Sequence, residues 1–308
     1  MSDILFLHPI FKERIWGGNK LNQFGYDLPY EKTGECWAIS AHPNGQSIIK
    51  SGRFKDMTLG QVFSENKHLF NDIKTDTFPI LTKILDANDD LSVQVHPKDA
   101  YAYKFEHDLG KTECWYILDA EKDAFIIYGH QATSKEMFKS MIENNQWDQL
   151  LIKRNVKKGD FIYVPSGTVH AIGKGIMILE TQQSSDTTYR LYDYHRVDSN
   201  GNQRKLHIHQ SIEVSNIPHI VEKLEFKRKV IDTSHITQYI SNSFFTVEKW
   251  EIEDYLKAPN HHYKLMSIIN GSGCINGNPI KKGDHFIVCS NVKEIEIIGN
   301  LELIVSWT

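Results

Sequence analysis

Four side chains, met in chain order, could together hold a divalent metal. Gln94 and His96 lie in Leu91-Ser92-Val93-Gln94-Val95-His96-Pro97, Glu113 in Gly110-Lys111-Thr112-Glu113, and His170 in Val164-Pro165-Ser166-Gly167-Thr168-Val169-His170. Each stands at the end of a run that reads as β-strand, and a metal needs donors arriving from separate elements. Strand alternation puts Ser92, Gln94 and His96 on one face and Val93 and Val95 on the other; Lys111 likewise shares a face with Glu113. Polar groups turned inward are costly unless something pairs with them. Two imidazoles, a carboxylate and an amide oxygen make a cage for Zn²⁺, and Mn²⁺, Fe²⁺, Co²⁺ or Ni²⁺ use the same donors. The plainer alternative is a set of hydrogen-bonded structural histidines, since the chain has 15 and some will fall near carboxylates by chance. His8, His42, His107, His130, His207 and His209 lack such a context and read as structural or surface groups. His207-Ile208-His209 forms an i, i+2 pair with no third donor at a suggestive spacing.

A second cluster comprises Glu180 and the run Asp186-Thr187-Thr188-Tyr189-Arg190-Leu191-Tyr192-Asp193. Arg190 amid acids and aromatics is either an ordinary surface ion pair or a guanidinium that holds an anionic substrate. Spacing does not choose between the two.

The elements that must position these groups are mostly strands. Gly34 to Ser40, Phe78 to Leu85, Leu91 to His96, Glu113 to Leu118, Phe125 to Tyr128, Asp160 to Val164 and Ile176 to Gln182 are short, rich in β-branched and aromatic residues, and bounded by turn formers. Three helices interrupt them. Thr58 caps a segment with Leu59, Val62 and Phe63; Asp99 opens one running through Leu109 and stopped by Gly110; Ser134 begins one carrying Met137, Phe138, Met141 and Ile142. Cys114 alternates away from Glu113 and reads as a buried structural thiol.

An internal echo organises the chain. Val156-Lys157-Lys158-Gly159-Asp160-Phe161-Ile162-Tyr163-Val164 is matched by Ile280-Lys281-Lys282-Gly283-Asp284-His285-Phe286-Ile287-Val288, a Gly-Asp turn leading into an apolar strand in both copies. Leu265 to Gly273 reads as a strand and turn, and Glu294 to Ile298 and Leu301 to Trp307 as two more strands. The pattern predicts a mainly β protein with two small antiparallel barrels or double-sheet jelly rolls and a few helical decorations. Ten residues past the first Gly-Asp stands His170; ten past the second stands Glu294, so the second copy reads as metal-free. A boundary falls near Thr233 to Gln238, giving units of 1–235 and 236–308.

Composition excludes several classes. The chain has 308 residues, 40% of them hydrophobic, a net charge of −4 and no basic block, which argues against nucleic acid as a partner. No apolar run approaches the ~20 residues of a membrane helix. The start, Met1 to Pro9, has no basic leader, and Cys36, Cys114, Cys274 and Cys289 are widely spaced with no C-x-x-C pair. A reducing cytoplasm is the expected compartment.

Taken in order, Trp16-Gly17-Gly18, Gly34-Glu35-Cys36-Trp37 with Ser40 to Gly45, Leu91 to Pro97, Gly110 to Trp115, Gly159 to Ala171 and Leu179 to Arg190 resemble the type I mannose-6-phosphate isomerases (phosphomannose isomerases) of the cupin superfamily, in their short bacterial form. The resemblance implies two cupin-type jelly-roll β-barrels, of which the second is degenerate. It also implies one zinc ion held by Gln94, His96, Glu113 and His170. Arg190 would be the catalytic arginine and Glu180 the accompanying carboxylate. Lys111, Ser92, Lys83 and Trp16 would belong to the pocket and its substrate contacts. The implied reaction interconverts mannose 6-phosphate and fructose 6-phosphate through a cis-enediol, with Glu180, Lys111 or a metal-bound water as base. The implied partner is the sugar phosphate, on a monomer or weak homo-oligomer. The alternatives are another metal cupin, such as an Fe²⁺ oxygenase, or a non-catalytic sugar-binding cupin.

Overall fold

The short β-branched runs pair into antiparallel ladders, and the way these stack fixes where the polar groups meet. The computed structural model describes residues 3–197 and 201–308. The reading of the amino terminus therefore rests partly on Met1 and Ser2, which lie outside the described residues. A six-stranded sheet runs Phe161–Val164, Glu113–Ala120, Ile176–Gln183, Ile80–Ala87, Ile10–Gly18, Thr33–Ile39. Facing it, a five-stranded sheet runs Leu151–Asn155, Phe125–His130, His170–Ile172, Val93–Val95, Tyr189–Tyr192. Between them lies an apolar cluster with Trp16, Trp115, Ile117, Ile126 and Ile178.

The outer faces are covered as well. Val93 and Val95 are fully buried and pack with Phe138, Met141 and Ile142 of the helix Lys135–Glu143, so both faces of the five-stranded sheet are dry. That is why valines can point away from the site without reaching water. The outer face of the six-stranded sheet, with Cys114, Tyr116 and Leu179, packs against Leu265, Ile287 and Ile304 of a third sheet. Cys114 is thus the buried thiol expected, and burial pushes its pKa up.

The third sheet has ten strands and takes in the whole carboxy-terminal unit. It also recruits Ile4–His8, which pairs with His285–Val288, and the hairpin Lys227–Ile231 with Ser234–Ser241 lies at its edge. The expected division at 235/236 therefore cuts through the strand Ser234–Ser241. The layers are double-sheet jelly rolls; the sheets stack through side chains and do not close into the barrels anticipated. Among the described residues no helix is long and apolar enough to cross a membrane.

The echoed Gly-Asp turns are one structure used twice. Gly159 and Gly283 have φ of 90° and 91°, and Asp160 and Asp284 accept the Lys157 and Lys281 N–H groups at 3.0 and 2.9 Å. Each glycine N–H then reaches a neighbouring strand, at Ile117 O and Ile268 O. Other boundaries differ from expectation. The strand and turn predicted at Leu265 to Gly273 are one strand, Lys264–Ile275, and the two strands predicted at 294–298 and 301–307 are one, Glu294–Trp307. Gly271 (φ 76°) and Gly299 (φ 132°) are bends in these two paired strands, and a Cβ on Gly271 would lie 2.1 Å from Asn300 O. The helix from Asp99 ends at Phe105, short of Leu109. His107 is left-handed at φ 55°, and the chain folds back so that Gly110 N–H reaches Asp99 Oδ1 at 2.8 Å. The helix does open at Asp99, as expected, with Lys98 in the cap position before it. Thr58 and Ser134 do cap their helices, accepting from Gln61 N and Met137 N.

Candidate active site

His96, Glu113 and His170 converge from separate elements. One ligand atom from each lies within 4.8 Å of the others, and all three residues are buried. His96 Nε2 is 3.4 Å from Glu113 Oε2, and His170 Nε2 is 3.4 Å from Glu113 Oε1. The sequence arranges this by register: His170 pairs with Gln94 in one sheet, and Val164 pairs with Glu113 in the other.

The tautomers follow from the outer nitrogens. His96 Nδ1 lies 2.9 Å from Thr187 O and His170 Nδ1 2.8 Å from Thr168 O, so each Nδ1 donates and each Nε2 turns a lone pair inward. Asp108 supports the first of these by accepting the Ser185 and Thr187 hydroxyls at 2.8 and 2.9 Å. Trp115 Nε1 donates to Glu113 Oε1 at 3.0 Å and fixes the carboxylate. Lys111 Nζ lies 3.0 Å from Glu113 Oε2, an ion pair at an angle that leaves this buried oxygen without a well-formed hydrogen bond. Lys111 Nζ also lies 3.2 Å from His96 Nε2, so one ammonium serves both that lone pair and Glu113, while two inward imidazole lone pairs beside a carboxylate are donors of the kind a divalent cation takes. The residues present therefore fit a divalent metal. Gln94 stands at the edge of this cluster, its amide 3.3 Å from His170 Nε2, and rotation of that amide by 180° offers the oxygen instead.

Charges around the cluster are set by burial and neighbours. Burial, then Lys111, lowers His96 to about 3, and burial lowers His170 as well. For Glu113, burial acts upward but Lys111 and His96 outweigh it, so the carboxylate stays ionised. Burial would lower Lys111, yet Glu113 and Glu180 hold it above its usual value. Both histidines titrate below the 6.5 of an unfolded chain, so between these values the unfolded state binds more protons. Stability of the metal-stripped protein should therefore fall as pH drops below 6.5, with buried His285, at about 3, acting in the same direction. Thermal midpoints measured at decreasing pH check this; a midpoint that is flat or rises would contradict neutral buried imidazoles.

Above the cluster opens a cavity of about 420 Å³. Trp16, Lys83, Ser92, Gln94, Lys111, Glu180 and Arg190 all line it, so the expected pocket residues are brought together. Glu180 is buried, raised by burial and then by Glu113, and its Oε1 has no hydrogen bond; Lys83 Nζ lies 3.6 Å away, its cross-strand partner. Arg190 is not engaged in an ion pair among the described residues. Its Nε donates to Ser92 Oγ at 3.3 Å and Nη1 to Lys205 O at 2.9 Å, and among the described residues no carboxylate pairs with it. His207, read as uninvolved, accepts the Arg190 N–H at 3.1 Å, whereas His209 is exposed beside Glu213.

Sequence reasoning missed Arg14 and Glu35, which also line the cavity. Arg14 grips Glu35 through Nε at 2.8 Å and Nη2 at 3.1 Å. Burial pushes Glu35 up, but Lys83 and Arg14 outweigh it and bring it down to about 2. A signal was present: Glu35-Cys36-Trp37 repeats Glu113-Cys114-Trp115. In both, the indole N–H bonds to the carboxylate two residues earlier, at 2.7 Å from Trp37 and 3.0 Å from Trp115. Trp250 does the same to Glu248 in the carboxy-terminal sheet at 2.7 Å. There Glu294, the counterpart of His170 in the echo, forms an exposed ion pair with Lys257 at 2.9 Å.

Comparison with known proteins agrees with this geometry. Residues 4–128 match the family described as phosphomannose isomerase type I, catalytic domain, and residues 235–308 match the mannose-6-phosphate isomerase cupin domain. The chain is 52% identical to mannose-6-phosphate isomerase ManA of Bacillus subtilis (strain 168), over 99% of each chain. It belongs to the type I mannose-6-phosphate isomerase family. A mannose-6-phosphate isomerase of Streptococcus mutans is 51% identical over 99% of this chain and 98% of its own. The crystal structure of the mannose 6-phosphate isomerase from Bacillus subtilis superposes with a TM-score of 0.97 at 44% identity, covering all of both chains. A mutant phosphomannose isomerase from Salmonella typhimurium, 14% identical with a TM-score of 0.78, shares the fold. The likeness to the Bacillus subtilis structure extends over the whole of this chain, whose His–Glu–His cluster lies in the amino-terminal pair of sheets.

Proposed function

We propose that this chain interconverts mannose 6-phosphate and fructose 6-phosphate through a cis-enediol, using one zinc ion held by His96, Glu113, His170 and Gln94. The observation that carries the reading is the buried pair of inward Nε2 lone pairs facing Glu113, next to Gln94 and Lys111, which line a cavity together with an arginine that has no carboxylate partner among the described residues. When bound, zinc would act as a Lewis acid on the sugar oxygens. Arg190 stabilises negative charge as it develops on the enediolate. Glu180, buried and raised, is the base that carries the proton between C2 and C1, because a base works best when its pKa approaches the working pH. Lys111, held protonated by Glu113 and Glu180, donates to a sugar oxygen. Ser92, Lys83 and Trp16 line the walls that orient the sugar phosphate. We assign the chemistry to the unit 1–235 and leave 236–308 metal-free, in a cytoplasmic monomer or weak homo-oligomer.

A coupled assay tests this directly. Chelation should abolish turnover of mannose 6-phosphate and zinc should restore it, with free mannose turned over more slowly. Full activity in protein verified to be metal-free would sink the zinc assignment.

A further inference from the structure

Gly110, Lys111 and Thr112 lead into the strand that carries Glu113, and cavities flank them on both sides. Lys111 faces the site cavity of about 420 Å³, while Thr112 borders a second one of about 780 Å³ with Asp99, Gln183 and Ser166. Lys111 and Thr112 are nonetheless buried, and a net of hydrogen bonds ties this stretch of chain to its neighbours. Asp99 Oδ1 accepts the Gly110 N–H at 2.8 Å and a Gln183 amide N–H at 2.9 Å. Gln183 Oε1 accepts the Thr112 N–H at 2.9 Å, and the Gln183 backbone N–H donates to Thr112 O at 3.0 Å. Lys111 N–H donates to Pro97 O at 3.1 Å. Residue 110 must be glycine for this return, because a Cβ there would lie 2.5 Å from Asp99 N.

The same net reaches the other two members of the cluster. Thr112 Oγ1 accepts the Ser166 N–H at 3.3 Å, and Gly167 N–H donates to His96 O at 2.8 Å. The segments bearing His96, Glu113 and His170 are thus tied to one another through Thr112, and Thr112 is held by the Asp99–Gln183 pair.

We infer that Asp99 and Gln183 are positioning residues for the isomerase site. They belong neither to the His–Glu–His cluster nor to the lining of the site cavity; they set where Lys111 and Glu113 point. The kinetic consequence rests on the isomerase reading, whereas the consequence for metal retention does not. Outer partners of this kind typically contribute about 10–100-fold in metal affinity or activity.

Gln183→Glu is the informative change. It preserves shape and the acceptor for Thr112 N–H, but sets a second carboxylate against Asp99 Oδ1. Turnover of mannose 6-phosphate should fall about 10–100-fold with KM nearly unchanged, and zinc should leave faster in competition with a chelator. Adding Asp99→Asn sets an amide N–H opposite that carboxylate but gives up the acceptor for Gly110 N–H, so the double variant should regain part of both properties. Should Gln183→Glu not fold, Asp99→Ala, which removes the acceptor of both Gly110 N–H and the Gln183 amide, should shift both readouts in the same direction. Wild-type turnover and zinc release in Gln183→Glu, or no recovery in the double variant, would overturn the inference. Lack of mannose 6-phosphate turnover by the wild type would end the isomerase reading and leave the zinc-release arm standing.

Discussion

Glu113→Gln should yield a folded protein that retains little metal and has lost about a thousandfold in turnover, or ~4 kcal/mol of transition-state stabilisation. The change keeps the shape of the side chain and the oxygen that accepts the Trp115 indole N–H. What disappears is the negative charge between His96 and His170, each 3.4 Å from a carboxylate oxygen. A neutral amide there is a far poorer metal ligand. The substitution also leaves Lys111 buried with Glu180 and Asp186 as its remaining carboxylate neighbours. Removing one partner of a buried ion pair costs about 3–5 kcal/mol, so the thermal midpoint should fall as well. Metal content by native mass spectrometry, read beside kcat, separates the two effects. Stoichiometric metal with wild-type turnover in this variant would show that Glu113 is not a ligand.

The cluster was legible in the sequence because its signals are local. Gln94-Val95-His96 alternates, and the polar face could be read without knowing what covers the valines. The Pro165 to His170 turn punctuates its strand, and the Gly-Asp echo exposed Glu294 as the odd counterpart of His170. Features decided by distant partners were not legible. Ile4–His8 joins the carboxy-terminal sheet by pairing with His285–Val288, far along the chain, and nothing near residue 4 announces it. Gly271 and Gly299 look like turns in sequence, but two long strands pair across them, and the glycines mark the close approach of the two backbones. Asp99 opens its helix as the sequence suggested, but nothing local shows where its side chain goes. Its carboxylate is instead claimed by Gly110 and Gln183, eleven and eighty-four residues on. Glu35 was overlooked because a lone acid on a strand carries no functional mark; only its likeness to Glu113 in the Glu-Cys-Trp repeat could have raised it.

Arg190→Ala should separate chemistry from metal binding. Its guanidinium touches Ser92 Oγ and Lys205 O and no member of the His–Glu–His cluster, so zinc content should remain at the wild-type level. The strand should stay in place, because its backbone pairs with Gln94 and its N–H still reaches His207. Loss of one well-placed donor to a developing oxyanion costs ~3 kcal/mol, so kcat should fall by about 10²-fold or somewhat more. Burial and then Arg204 lower its pKa, with Asp193 acting the other way. Truncation removes two hydrogen bonds but strands no buried charge, so the thermal midpoint should fall less than in Glu113→Gln. Arg190→Lys should recover little, since a point charge cannot reproduce the planar fork. A variant with kcat within about threefold of wild type would remove Arg190 from the chemistry. It would then remain a strand residue with an unexplained unpaired charge beside a sugar-sized cavity.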